Sequence, residues 1–337
     1  MRHSAKTVSA FAAILVALAP LGALAEVYDL PPAGNDVVGA ITKVSARADD
    51  TLLDIARRHG LGYEDIVRAN PDVDTWLPGE GTEVILPTQY VLPPGPRRGV
   101  VLNLAEYRLY YYPEPAEGEP AVVMTYPISI GRMDWETPLG RTSITQKVRN
   151  PSWYPPESIR AEHAADGDPL PRIVPPGPDN PLGEYAMRLG IPGYLIHGTN
   201  RPAGVGMRVT HGCIRMFPED IDYLFGRVGV NTPVRIINEP VKVGWQGDRL
   251  FVEVHKTLEV AEPDPSVEAS PEGGTPDEPP PPRDALTALT AQFVVATNER
   301  PGALDWDVAE LLLARADGMP AAAGRTIKDA ATSAASE

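Results

Sequence analysis

Proline most constrains how this chain can be laid out, because it fixes φ and has no N–H to give to a helix or a ladder. There are 38 prolines among 337 residues, and they cluster. Pro93, Pro94 and Pro96 flank Gly95 in a short stiff hinge. Nine more fall between residues 151 and 183, and eight between 262 and 282. Regular structure is therefore expected in the intervals. The last cluster is also acidic and poor in large apolar side chains, so residues 257–283 read as a disordered linker. The middle cluster predicts an irregular excursion without helix or strand. Because it holds Trp153 and Tyr154, it reads either as a binding loop or lid, or, from Ala164 to Asn180, as a rigid surface segment.

The intervals have distinct patterns. Residues 1–25 carry Arg2 and Lys6, an apolar run from Phe11 to Leu18 and the small-residue ending Ala23-Leu24-Ala25, the pattern of a secretory signal peptide. Export is expected, with the mature chain starting at Glu26. No later stretch approaches the roughly 20 apolar residues of a spanning helix. In residues 39–88, Asp49-Asp50-Thr51 before Leu52, Leu53 and Ile55 predicts a helix ending at Gly60. A second helix from Glu64 to Ala69 is closed by Asn70-Pro71, and segments 40–46 and 83–86 have strand composition. The result is a small βααβ module. Beyond the hinge, segments 99–104, 107–112, 121–130, 232–237 and 250–255 read as strands, and Pro218-Glu219-Asp220 starts a helix reaching about Gly226. The fold class is mainly β (α+β). Past the linker, residues 284–337 predict a tail with short helices, from the spacing of Leu286, Leu289 and Phe293 and of Val308, Leu311 and Leu312.

Charge narrows the function. The net charge is −15, yet acids and bases balance between 97 and 256, so the acidity lies in the flanks. No basic cluster suits nucleic acid, and an anionic membrane surface would repel the flanks.

The chemistry concentrates between Tyr194 and Met216, YLIHGTNRPAGVGMRVTHGCIRM, which holds the one cysteine and two of the six histidines. One cysteine excludes an intramolecular disulfide. A lone cysteine is often a small buried apolar residue, but packing has no need of two His-Gly pairs beside it. Cys213 with His197 and His211 instead forms a candidate thiol nucleophile with an imidazole base. Gly212 lets a carbonyl approach and frees N–H groups for an oxyanion. The spacing lacks the further ligand or carboxylate of a zinc site, so neither metal nor cofactor is expected.

HGT at 197–199 followed by THGCIRM at 210–216 resembles the signature of the L,D-transpeptidase catalytic family. GRMDWETPLG at 131–140, PSWYPPESIR at 151–160 and PLGEYAMRLG at 181–190 extend the resemblance over about residues 97–256. It implies a β-sandwich-like catalytic domain in an exported, periplasmic enzyme associated with the cell wall. It also implies a cysteine thioester with a peptidoglycan tetrapeptide stem, passed to a stem or protein amine, and a cysteine that carbapenems acylate. The site residues it implies are Cys213, His197, His211 and Gly212 for catalysis, with Arg215, Thr210, Gly198, Trp153 and Tyr154 toward substrate. Strand alternation alone would favour His211 as base, whereas the family pattern assigns His197. Arg215 has two readings, a ligand for a stem carboxylate or an internal ion pair with Glu219 or Asp220. DDTLLDIA and RANPDVDTWLPGEGTEVILP resemble a LysM domain, which implies affinity for N-acetylglucosamine-containing glycan strands, although Asp50 stands where glycine is usual. A cysteine hydrolase of the same fold and a non-enzymatic LysM wall-binding protein remain as alternatives.

Overall fold

The computed structural model describes residues 26–132, 135–258 and 284–327. The expected signal peptide and the linker's acidic, proline-rich stretch lie outside these residues. The chain runs through β1 (Glu26–Asp29), β2 (Val37–Ser45), α1 (Leu52–Arg58), α2 (Tyr63–Ala69) and β3 (Glu83–Val91). Past the hinge come β4 (Gly99–Asn103), β5 (Arg108–Tyr112), β6 (Val122–Pro127), β7 (Ile130–Gly131), β8 (Gly140–Arg149), α3 (Glu157–Ala165), β9 (Tyr185–Leu189) and β10 (Leu195–His197). Then follow β11 (Arg208–Thr210), β12 (Ile214–Arg215), α4 (Pro218–Phe225) and β13 (Pro233–Ile237). The C-terminal part holds β14 (Val241–Gln246), β15 (Arg249–Val254), α5 (Ala285–Thr297), β16 (Gly302–Leu304), α6 (Trp306–Arg315) and β17 (Ala321–Thr326).

Local chemistry sets several of these boundaries. At α1 the Thr51 hydroxyl accepts from the Asp54 N–H at 3.1 Å and the Asp54 carboxylate accepts from the Thr51 N–H at 3.0 Å, a reciprocal cap. α4 begins on Pro218, where the missing N–H costs nothing.

The strands form a sheet in the order β1-β6-β5-β4-β13-β8-β9-β10-β12, with β4 parallel to β13 and β10 parallel to β12. Every residue of β4 and β5 is buried, so these strands are covered on both sides. Alternation divides them. Val100, Leu102, Leu109 and Tyr111 enter one core with Ile196, Ile214, Ile221 and Leu224. Val101, Tyr110, Tyr112 and Val123 enter a second with Val38, Tyr90 and Leu92 of the β2–β3 side. The βααβ module therefore packs against the sheet across the proline hinge, and β1 pairs with β6 at the sheet edge.

Two sequence expectations are corrected. The proline-rich excursion contains a helix, α3, because Pro155 and Pro156 precede it and the window from Glu157 to Ala165 is proline-free. The C-terminal segment is more than short helices. β16 and β17 join β14 and β15 in a separate four-stranded sheet of order β14-β15-β17-β16, so residues 241–254 pair with the tail rather than with the nine-stranded sheet. Long-range pairing of this kind leaves no local signal.

A buried polar cluster lies where these parts meet. Glu106, Glu253 and His255 bring ligand-type atoms within 4.8 Å of one another. The Lys242 ammonium already fills the cation position, at 2.5 Å from Glu106 and 2.8 Å from Glu253. Asn103 donates to Glu106 at 2.9 Å and the Val91 N–H to Glu253 at 2.6 Å.

Trp245 on β14 is 3% exposed and donates its indole N–H to the Ala296 carbonyl of α5 at 2.8 Å, with Arg300 stacked 4.2 Å from its ring. Trp245→Ala should cost about 3–5 kcal/mol of unfolding free energy. Denaturant titration checks this, with limited proteolysis expected to open segment 284–327 first. Wild-type stability would mean that the tail sheet contributes little.

Candidate active site

Cys213 follows a turn set by three hydrogen bonds. Gly212 has φ +92°, and a Cβ there would lie 2.8 Å from the Tyr194 ring. Its carbonyl accepts from the Thr137 hydroxyl at 2.8 Å, and Thr137 in turn accepts from the Gly131 N–H at 3.2 Å. The buried Thr210 hydroxyl donates to the Cys213 carbonyl at 2.6 Å. Thr210, expected toward substrate, thus spends its hydroxyl on the turn. No hydrogen bond among the described residues uses the N–H groups of Gly212 or Cys213.

His197 ends β10 and is buried. It lies opposite Arg215 in the parallel pairing of β10 with β12. Cys213 directly precedes β12, the strand that pairs with β10 and so with His197. The His197 Nδ1 lies 2.6 Å from the Gly198 carbonyl. A carbonyl only accepts, so Nδ1 carries the hydrogen and Nε2 is left as the base. Burial, then the Arg215 charge, pushes His197 down to about 3. Burial also raises the Cys213 thiol, which points at the Gly193 carbonyl, 3.6 Å away. Both shifts favour the uncharged side chain.

His211 faces elsewhere. Its Nε2 is 3.1 Å from Glu162 of α3, and its ring meets Trp135 edge-on at 5.2 Å. Glu162 also takes the Arg132 guanidinium at 2.5 Å. The positive φ of Gly212 separates His211 from Cys213, so strand alternation does not apply across residues 211–213. Trp135, Thr137 and Glu162 were not singled out in the sequence; the first two lie in the GRMDWETPLG block, while Glu162 carries no local cue.

Arg215 makes neither expected ion pair. Glu219 is held bidentately by Arg57 of α1 at 2.7 and 2.8 Å. Asp220 is buried, and burial followed by the Glu219 charge holds its carboxyl well above the ordinary range. No carboxylate among the described residues pairs with Arg215, whose buried Nε has no partner there. Burial and Arg201 lower its proton affinity. Trp153 bridges to Val174 and Tyr154 is 64% exposed; no described contact brings either to Cys213. The excursion reaches the site through Glu162 instead.

Comparison with known proteins agrees with the motif. The family model described as YkuD, the L,D-transpeptidase catalytic domain, matches residues 97–236. The probable L,D-transpeptidase YcfS of Escherichia coli is 45% identical over 73% of this chain and 77% of that protein. YbiS of the same organism, also a probable L,D-transpeptidase, is 41% identical over 71% of this chain and 78% of its own. The Salmonella typhimurium probable L,D-transpeptidase ErfK/SrfK is 41% identical over 75% and 82%.

The protonation states give a signed pH test. A thiol raised by burial gains thiolate only as pH climbs, and an imidazole held near 3 stays neutral throughout. Alkylation of Cys213 by iodoacetamide should be slow at pH 7 and rise through a midpoint above the ordinary thiol value of about 8.5, with no inflection near 6.5. Fast alkylation at neutral pH that falls away below 6.5 would indicate a preformed thiolate–imidazolium pair.

Proposed function

The chain belongs to the L,D-transpeptidase family, and on that premise we propose that Cys213 forms a thioester with a peptidoglycan tetrapeptide stem and passes the acyl group to an amine. The observation that carries this reading is a buried His197 whose tautomer is set by the Gly198 carbonyl, on the strand that pairs with the one following Cys213. As the sulfur attacks the stem amide, His197 Nε2 takes the thiol proton and so supplies the nucleophile without a resting thiolate. The N–H groups of Gly212 and Cys213 stabilise the tetrahedral oxyanion, and the imidazolium then protonates the departing amine, the terminal D-alanine. An acceptor amine reverses the sequence. It loses its proton to His197 as it attacks the thioester, and the thiol returns.

Arg215 binds the stem carboxylate. A buried guanidinium without an ion-pair partner among the described residues sits beside the nucleophile, and a bidentate anion relieves that imbalance. Its charge also favours the thiolate over the thiol while opposing the imidazolium. Thr210, Thr137 and Gly212 shape the turn. The N-terminal module binds glycan; its exposed Trp76 and Leu77, 59% and 79% accessible, offer an apolar surface of the kind a sugar ring covers. The enzyme acts after export, in the periplasm at the wall.

His197→Ala should lower acylation of Cys213 by a carbapenem by about 10²- to 10⁴-fold near neutral pH, while His211→Ala keeps measurable reaction. Intact-protein mass spectrometry reads both, and the reverse ranking would reassign the base. Incubation with purified sacculi, followed by muropeptide analysis, tests the reaction itself. New linked dimers are expected; shortened monomers alone would make the protein a hydrolase, and no change would leave only wall binding.

A further inference from the structure

The N-terminal module and the loop joining His197 to Cys213 meet backbone to backbone. Gly206 has φ +86°, and a Cβ on it would lie 2.4 Å from the Tyr63 nitrogen and 2.5 Å from the Gly62 Cα. A Cβ on Gly62 would lie 2.6 Å from the Gly206 Cα. Two glycines facing each other allow an approach that side chains would forbid. The first amides of α2, which have no intrahelical partner, donate into this loop: Tyr63 N–H to Val205 at 3.0 Å and Glu64 N–H to Gly206 at 3.3 Å. Asp65 caps the same turn by accepting from the Gly62 N–H at 2.9 Å, and it also pairs with buried Arg108 of β5 at 2.6 Å. The other side of the loop is held by Ser129, whose hydroxyl donates to the Gly204 carbonyl at 2.7 Å. A Cβ on Gly204 would stand 3.4 Å from the Arg215 guanidinium. The loop is thus clamped between α2 and β7's approach, and its inner edge walls the arginine beside Cys213.

From this chain of contacts we infer that Gly62 and Gly206 are positioning residues for the reaction. Through them the N-terminal module sets the loop that holds Arg215 in place to receive an anionic substrate. The Arg57–Glu219 pair ties α1 to α4 and steadies the same interface. The module is then part of the active site's frame as well as a separate binding unit. This rests on the transpeptidase reading for the identity of the anion, and on geometry alone for the positioning.

The test uses the full mature chain carrying Gly62→Ala, a substitution its own backbone tolerates at φ −89° but which forces the module away from Gly206. Two alkylating agents differing only in charge report on Arg215: anionic iodoacetate and neutral iodoacetamide. The expected result is a fall of about tenfold in the iodoacetate rate relative to iodoacetamide, with a matching rise in KM for a stem tetrapeptide donor and a smaller effect on kcat. Arg57→Gln, a milder opening of the same interface, should shift the ratio in the same direction, and Arg57→Lys should partly restore it. Unchanged ratios in Gly62→Ala and Arg57→Gln would overturn the inference. So would equal losses with both reagents, which indicate general loosening. A wild-type protein inert to the donor would sink the transpeptidase reading, while the alkylation ratio would still decide the positioning.

Discussion

The rest of the structure depends on β4 and β5 being buried on both faces. A strand covered on one side can face water on the other, but Gly99–Asn103 and Arg108–Tyr112 have no exposed residue. One face needs the catalytic core with α4; the other needs Val38, Tyr90 and Leu92 from the β2–β3 side. At about 25 cal/mol per Å² of apolar surface removed from water, neither cover is dispensable. This is why the proline hinge does not separate two loosely tethered units. Arg108 completes the seam as a buried cation, paired with Asp65, stacked 4.4 Å from the Tyr90 ring and donating to Thr125.

The same burial governs the site's electrostatics. His197 is buried, and Cys213 is half-buried. Here desolvation pushes His197 down and Cys213 up, so both groups favour their uncharged forms. The Arg215 charge acts on both groups; of the two carboxylates following it in sequence, Glu219 is taken by Arg57 and Asp220 is shifted well above the ordinary range by burial. The proposed nucleophile and base are thus both shifted toward their uncharged forms, beside an arginine with no carboxylate partner among the described residues.

Where buried charges do occur away from the site, they are compensated. Lys242 sits between Glu106 and Glu253, with Tyr110, Asn103, His255 and the Val91 amide completing the network. Burial raises both carboxyls and lowers His255 to about 4, so the cluster holds the residue types of a metal site with a lysine in the metal's place. Such a network specifies one packing of the strands that carry it more than it stabilises them. It links β3, the catalytic strands and β15.

Sequence determined the parts that are local. The caps at Thr51 and Pro218 fix where helices start, apolar runs mark strands such as β4 and β5 though not the largely polar β8, and the glycine of THGC answers the positive φ before Cys213. The L,D-transpeptidase motif named the chemistry. What sequence left open were contacts between residues far apart in the chain. Glu162 reaches His211 across 49 positions, Arg57 takes Glu219 across 162, and β17 joins β15 beyond the linker. α3 was hidden by prolines that flank it without entering it. That Arg215 would not pair with Glu219 could not be read from its neighbours either, since Arg57 of α1 takes that carboxylate. Side-chain periodicity and turn chemistry act over a few residues, whereas pairing, burial and charge compensation depend on which distant segments share a face, and only tertiary packing sets that.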